Sequence, residues 1–169
     1  MSATDAPARG SVGLDVLRAV VSIVACLAAG GVGGLMMTGE TWTWYASLNR
    51  PALNPPGWVF GPVWTALYIM MGVAAFLVWR RGLRRLAVRA GLGLFAAQLL
   101  LNAIWTPVFF GLQDPPAALI VIGLLWVAIA ATIVVFWRVS KAASILLMPY
   151  ILWVSFASYL NYAIVTLNR

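Results

Sequence analysis

Five long apolar stretches, separated by short polar segments, occupy most of the 169-residue chain. Each has close to the roughly 20 residues that an α-helix needs to cross the apolar core of a bilayer. No charged residue lies inside any of them, and none shows the alternating pattern of a membrane β-barrel strand. The sequence therefore predicts an all-α fold, an integral membrane bundle of five transmembrane helices. The predicted spans are about 19–37, 58–79, 90–111, 116–137 and 143–167.

The spans leave little sequence outside one small membrane domain. We predict an N-terminal tail at 1–15 and a single membrane domain at 16–169. The one long connection, 38–57, combines tryptophans with the turn-forming string 49–57, NRPALNPPG. Because long ordered loops often cover functional sites, we predict that this segment is a lid over a pocket.

Composition narrows the possible functions. The chain is 63% hydrophobic and only 9% charged, whereas soluble domains have about 25% charged residues. These values exclude a soluble enzyme and a free nucleic-acid-binding domain. Histidine is absent, there is one cysteine, and no acidic residue lies within a span. The sequence thus predicts no metal site, no hydrolase centre and no intramembrane carrier of protons or ions.

The positive charges predict the orientation. With five spans, nine of the eleven basic residues fall on the same side as the N-terminus: Arg9, Arg18, Arg80, Arg81, Arg84, Arg85, Arg89, Arg138 and Lys141. The positive-inside rule then places the N-terminus in the cytoplasm and the C-terminus outside. Helical spans favour a bacterial inner (plasma) membrane. The arginines at 80–89 serve topology in this interpretation, and binding of anionic membrane lipids is the alternative.

The first span leaves two alternatives open. Cys26 follows Ile23-Val24-Ala25, a string similar to a lipoprotein cleavage site, although Asp15 and the continuing apolar sequence fit that interpretation poorly. The run 30–34, GGVGG, contains a GxxxG pattern that allows close helix contact. That contact is either a dimer seam or packing inside the bundle.

Three spans carry stripes that combine tryptophan with polar or small residues. They are Trp64 and Tyr68 on the second span, Gln98, Asn102 and Trp105 on the third, and Trp153, Ala157 and Asn161 on the fifth. Spacings of three or four residues place each set on one helix face. Because amide side chains at membrane depth are costly unless they face protein or a cavity, the stripes should face inward. They indicate either aromatic packing with interhelical hydrogen bonds or a pocket for a flat, hydrophobic, polycyclic ligand.

Four strings in these regions carry a family resemblance. They are 44–51 (WYASLNRP), 54–68 (NPPGWVFGPVWTALY), 98–111 (QLLLNAIWTPVFFG) and 149–153 (PYILW). In this order the chain resembles the TspO/MBR family of tryptophan-rich sensory proteins, translocator proteins and peripheral-type benzodiazepine receptors. The resemblance covers roughly 26–168.

The resemblance implies a five-helix bundle, often a homodimer, that binds porphyrins such as protoporphyrin IX and haem. It implies a sensor or regulator of tetrapyrrole or stress responses, needing no cofactor besides the bound ligand. The alternatives are a light- and oxygen-dependent porphyrin-degrading enzyme and a transporter of porphyrin or lipid-like ligands. By motif position, the ligand-binding residues would be Tyr45, Trp64, Tyr68, Asn102, Trp105, Trp153 and Ala157. Trp64 and Trp153 would be catalytic only if degradation occurs.

Two further expectations concern the ends of the ligand site. The family's sterol motif requires a basic residue within five residues after a tyrosine, but six residues separate Tyr162 from Arg169, so the strict sterol motif is absent. Arg50 is the one cation on its side before the C-terminus, and we expect it to meet a porphyrin propionate.

Overall fold

The computed structural model describes residues 9–36 and 38–169, so that most of the predicted tail at 1–15 and Met37 of the predicted first span lie outside the described residues. The described part is built from helices and turns, without strands. Its elements are α1 (Arg9–Leu35), α2 (Gly39–Ser47), a 3-10 turn (Gly57–Val59), α3 (Phe60–Trp79), α4 (Leu86–Thr106), a π-helical turn (Pro107–Gly111), α5 (Pro115–Trp137), α6 (Lys141–Leu146) and α7 (Met148–Leu167).

Five segments of the described chain are long and apolar enough to cross a membrane, which confirms the predicted fold class. They are Val12–Leu35, Gly57–Trp79, Leu86–Gly111, Pro115–Trp137 and Lys141–Leu167. α1 begins ten residues before the predicted start of the first span, at Arg9 and not near residue 19. The prediction stopped at charged residues, but Asp15 and Arg18 form an ion pair one helical turn apart, 3.1 Å long, that the helix accommodates.

Local sequence explains where the other helices begin and break. Asp114 accepts a hydrogen bond from the backbone N–H of Ala117 and caps α5, which starts with a proline that needs no N–H partner. The last span was predicted as one continuous helix, but it divides at Leu147 into α6 and α7. Pro149 lies in the first turn of α7, where its missing N–H does not interrupt the helix that follows.

The five spans form a closed ring. α1 packs against α3 and α4, α4 against α5, α5 against α7, and α3 against α6 and α7. α1 and α3 approach so closely that a Cβ atom on Gly72 would lie 2.5 Å from the Cα atom of Ile23. On the basic side, the carboxylate of Asp15 on α1 also meets the guanidinium of Arg80 at the end of α3, at 3.4 Å.

Two glycines of the 30–34 segment of α1, Gly30 and Gly33, pack inside the bundle, whereas Gly31 and Gly34 are open. A Cβ atom on Gly30 would overlap the ring of Tyr68 on α3, and one on Gly33 would lie 3.1 Å from the hydroxyl of Thr106 on α4. Cys26, one turn earlier, is fully buried within the continuous helix. Elsewhere α1 presents exposed apolar side chains such as Val16 and Val20, as expected for a surface that faces lipid.

The predicted lid contains a helix. α2 begins after Thr38, whose side chain accepts a hydrogen bond from the backbone N–H of Thr41, and Glu40 in its first turn suits the positive helix end. We predicted turns for 49–57, where the structure has turns and irregular backbone, and we did not predict the helix at 39–47. The Thr38 cap and Glu40 in the first turn favour a short helix at this point.

Candidate ligand cavity beneath α2

A cavity of about 600 Å³ lies between α1, α3, α4 and α7 and extends to α2. Its walls are mostly aromatic, apolar or glycine, and no charged side chain of the described chain is among them. Six of the seven predicted binding residues line it: Tyr45, Trp64, Tyr68, Trp105, Trp153 and Ala157. The helical stripes that the sequence predicted to face inward therefore meet around one space.

Asn102, the seventh predicted residue, lies behind the cavity wall. It is 4% exposed, and its amide joins a chain of hydrogen bonds. The Tyr68 hydroxyl donates to Asn102 Oδ1 at 2.5 Å, and Asn102 Nδ2 donates to the Tyr150 hydroxyl oxygen at 3.1 Å. The Tyr150 hydroxyl in turn donates to Gln98 Oε1 at 2.9 Å. Asn102 thus holds the orientation of Tyr68, which does line the cavity, by bridging α3, α4 and α7.

The indole N–H groups of two wall tryptophans differ in their partners. Trp105 Nε1 donates to Asn161 Oδ1 at 3.2 Å, and its ring stacks on Phe109 at 5.2 Å between centroids. Trp153 Nε1 is buried and has no hydrogen-bond partner. A buried donor without a partner costs free energy, and this N–H has almost no surface exposed to the open space of the cavity.

The remaining wall geometry suits a flat ring system. Trp64 stacks on Tyr68 with the centroids 5.5 Å apart and the planes at 26°. Trp153 meets Phe60 edge to face, at 5.9 Å. Ala157, 8% exposed, occupies the wall one turn after Trp153 and leaves room beside the indole. Broad aromatic faces with a small residue between them favour an extended planar ligand.

Tyr45 closes the cavity from the α2 side. It is 7% exposed, and its hydroxyl donates to Asn54 Oδ1 at 2.7 Å. Burial raises the pKa of Tyr45, against the smaller lowering effects of the Asn54 hydrogen bond and the nearby Arg50 charge. The phenol is therefore neutral at physiological pH and tethers α2 to the turn region after it.

Arg50 lies outside the cavity that Tyr45 closes. Its guanidinium carbon is 5.4 Å from the centroid of the Tyr45 ring, and it lines a separate polar hollow on the lid. Gly57 lines both the hollow and the main cavity, so the two spaces adjoin there. A ligand carboxylate would have to extend past Gly57 to reach Arg50.

Several wall residues were not predicted as binding residues. They are chiefly Trp42 on α2, Trp58 and Phe60 at the start of the second span, Phe109 and Phe110 in the π-helical turn, and the glycines of α1 at positions 30, 31, 33 and 34. Spacing alone could have found two of them, because Phe60 precedes Trp64 by four residues and Phe109 follows Trp105 by four. Trp58 is 77% exposed and also lines the cavity.

Comparisons with known proteins show the family to which the chain belongs. The sequence profile of the TspO/MBR family matches residues 22–167, from the middle of α1 to the end of α7. The chain is 48% identical over 154 residues to Tryptophan-rich protein TspO of Chlorobaculum tepidum, covering 91% of this chain and 98% of that protein. It is 44% identical over 135 residues to Translocator protein of Homo sapiens, covering 79% of each. It is 39% identical to Tryptophan-rich sensory protein of Cereibacter sphaeroides, covering 86% of this chain and 88% of that protein.

Proposed function

The chain belongs to the TspO/MBR family and is an integral membrane protein, and from this premise we propose that its cavity binds a porphyrin or a related flat, hydrophobic molecule. The observation that carries the proposal is a cavity walled by Trp64, Tyr68, Trp105 and Trp153, with no charged lining side chain among the described residues. A volume of about 600 Å³ lies within the range of about 300–1,000 Å³ that is usual for small-molecule sites.

The charge distribution supports a particular placement of such a ligand. The macrocycle would stack among Trp64, Tyr68 and Trp153, where no lining side chain is charged. The carboxylates would point towards Gly57 and the polar hollow that Arg50 lines. Stacking and area burial supply most of the affinity in this arrangement, and Arg50 supplies orientation.

In the membrane, the lid would lie on the outer side. The arginines at the α3–α4 connection and Arg138 at the end of α5 would face the cytoplasm, in an inner membrane with the C-terminus outside. Ligand binding would then regulate a tetrapyrrole or stress response. A homodimer would use a face other than Gly30 and Gly33, because these two pack against α3 and α4 of the same chain.

A titration in the dark tests the proposal. Protoporphyrin IX is added to detergent-purified protein while tryptophan fluorescence is followed, with Trp153→Phe as the variant and Trp126→Phe as the matched control. Trp126 lies on α5, donates to Ser155 at 2.9 Å and is not in the cavity wall. We expect saturable quenching, weakened about three- to tenfold by Trp153→Phe because the larger aromatic contact surface is lost, and unchanged by Trp126→Phe. Non-saturable quenching that is identical in all three proteins would contradict the proposal.

A further inference from the structure

The cavity is bounded on the α1 side by one stripe of that helix. Leu27, Gly30, Gly31 and Gly34 all line it, and their spacing of three, four and seven residues places them on a single face. The stripe meets α3 at Gly30, where any Cβ atom would overlap the Tyr68 ring. This contact closes the gap between α1 and α3 on its deep side.

The stripe does not close the gap nearer the lid. Gly31 and Gly34 line the cavity and are exposed at the same time, and a Cβ atom on either would meet nothing within 4 Å. On the α3 side, Gly61 also lines the cavity, is exposed and has nothing within 4 Å of an added Cβ atom. Thr65, one turn later, also lines the cavity and is exposed. Residues that face the cavity and the outside together mark its mouth.

The depth of these residues decides what the mouth faces. Gly61 and Thr65 lie four and eight residues into the span Gly57–Trp79, which at 1.5 Å per residue is about 6 and 12 Å. Gly31 lies four residues before the end of the span Val12–Leu35, about 6 Å. The opening thus falls within the apolar length of both spans, next to lipid chains.

The lid side is only partly covered. Tyr45, 7% exposed, closes part of it, whereas Trp42 and Trp58 line the cavity and are 43% and 77% exposed, so a route past the lid is the alternative to be tested. The segment that carries Tyr45 and Trp42 is fastened at both ends. The Thr41 hydroxyl donates to the carbonyl of Met36 at 2.9 Å, and the backbone N–H of Asn49 donates to the side chain of Asn168 at 2.9 Å.

We propose that a hydrophobic ligand reaches the cavity sideways from the bilayer, through a portal between α1 and α3 rimmed by Gly31, Gly34, Gly61 and Thr65. The proposal rests on the proposed function, in which a ligand occupies this cavity. Glycine at the rim keeps the portal wide enough for a flat molecule. Glycine also lowers helix stability by about 1 kcal/mol relative to alanine, and here no close packing contact offsets that cost. The ligand is therefore one that partitions into membranes.

The test narrows the portal without disturbing the packed helices. Gly34→Leu and Gly61→Leu place a side chain in open space at the rim, and Gly123→Leu on α5 is the matched control, since it is exposed, equally open and outside the cavity wall. Each protein is placed in lipid nanodiscs, protoporphyrin IX is added, and the association and dissociation rates are followed by tryptophan quenching in a stopped-flow instrument. We expect the association rate to fall about tenfold in the two rim variants. Gly123→Leu should match the unmodified protein.

A second arm separates the portal from a route through the lid. Cysteines replace Asn49 and Asn168, and a short bis-maleimide then fixes the lid; the native Cys26 is fully buried and should stay unlabelled. The portal requires unchanged association in the cross-linked protein. Loss of association there, or unchanged rates in both rim variants, would overturn the portal while saturable binding to the unmodified protein upholds the proposed function. Absence of saturable binding to the unmodified protein would overturn the proposed function, and the portal with it.

Discussion

The side chain of Asn168 and the main chain of Asn49 exchange two hydrogen bonds that join the end of α7 to the lid. The Asn49 N–H donates to Asn168 Oδ1 at 2.9 Å, and Asn168 Nδ2 donates to the Asn49 carbonyl at 3.0 Å. The same Nδ2 also donates to the carbonyl of Ile164 at 2.8 Å, which fixes the amide against the last turn of α7. The helix that supplies Trp153 and Ala157 to the cavity therefore also holds the lid in place.

Replacing Asn168 should loosen the lid without unfolding the bundle. Asn168→Ala removes both bonds to Asn49, and because they are exposed we expect a loss of only about 1 kcal/mol in lid stability. Amide hydrogen exchange in 39–54 should then become severalfold faster, while exchange in α3 and α5 stays unchanged. Thr166→Ala is the control, since its hydroxyl bonds only within α7, to Ala163. Equal exchange in both variants would show that the hydrogen bonds between Asn168 and Asn49 do not hold the lid.

The buried network around Asn102 should contribute to stability as a unit. Asn102→Ala leaves the Tyr68 hydroxyl without its amide partner, which costs about 1–3 kcal/mol, whereas the Tyr150 hydroxyl keeps Gln98 as its acceptor. We expect a clear fall in melting temperature in detergent. Tyr68→Phe in the same background should add little, because the partner of the hydroxyl is already gone. Additive losses in that double-mutant cycle would contradict a coupled network.

The close approach of α1 and α3 should make Gly72 intolerant of any side chain. A Cβ atom there would lie 2.5 Å from the Ile23 Cα atom, which is backbone and cannot rotate away, so Gly72→Ala must push the helices apart. We expect destabilisation of about 1–3 kcal/mol. Gly123→Ala, where a Cβ atom meets nothing within 4 Å, should instead stabilise its helix by up to about 1 kcal/mol. The comparison is made by thermal unfolding, and a neutral Gly72→Ala would mean that α1 packs loosely.

The sequence predicted the spans because long apolar runs without charge cannot stay exposed to water. It predicted the wall tryptophans because each shares a helix face with an amide or a tyrosine. It placed Asn102 at the ligand, since spacing shows which face a residue occupies but not whether another helix's hydroxyl reaches it first. It also could not show that, of the four α1 glycines lining the cavity, Gly30 and Gly33 pack against α3 and α4 whereas Gly31 and Gly34 are open. That difference depends on the position of α3 and α4 around α1, which local pattern does not encode.

The buried phenol of Tyr45 should make the lid sensitive to alkali. Its folded-state pKa is raised above the ordinary value near 10, mainly by burial, so the proton is held more tightly in the folded lid than in the unfolded chain. The stability it contributes is thus fully present below about pH 10 and is lost as the pH rises through the folded-state pKa. Unfolding followed from pH 8 to 11 should show a steeper loss above pH 10 in the unmodified protein than in Tyr45→Phe. Tyr162→Phe, which changes a 57% exposed tyrosine on α7, should retain the steep loss. Parallel curves of unfolding free energy against pH for all three proteins would contradict a contribution from Tyr45.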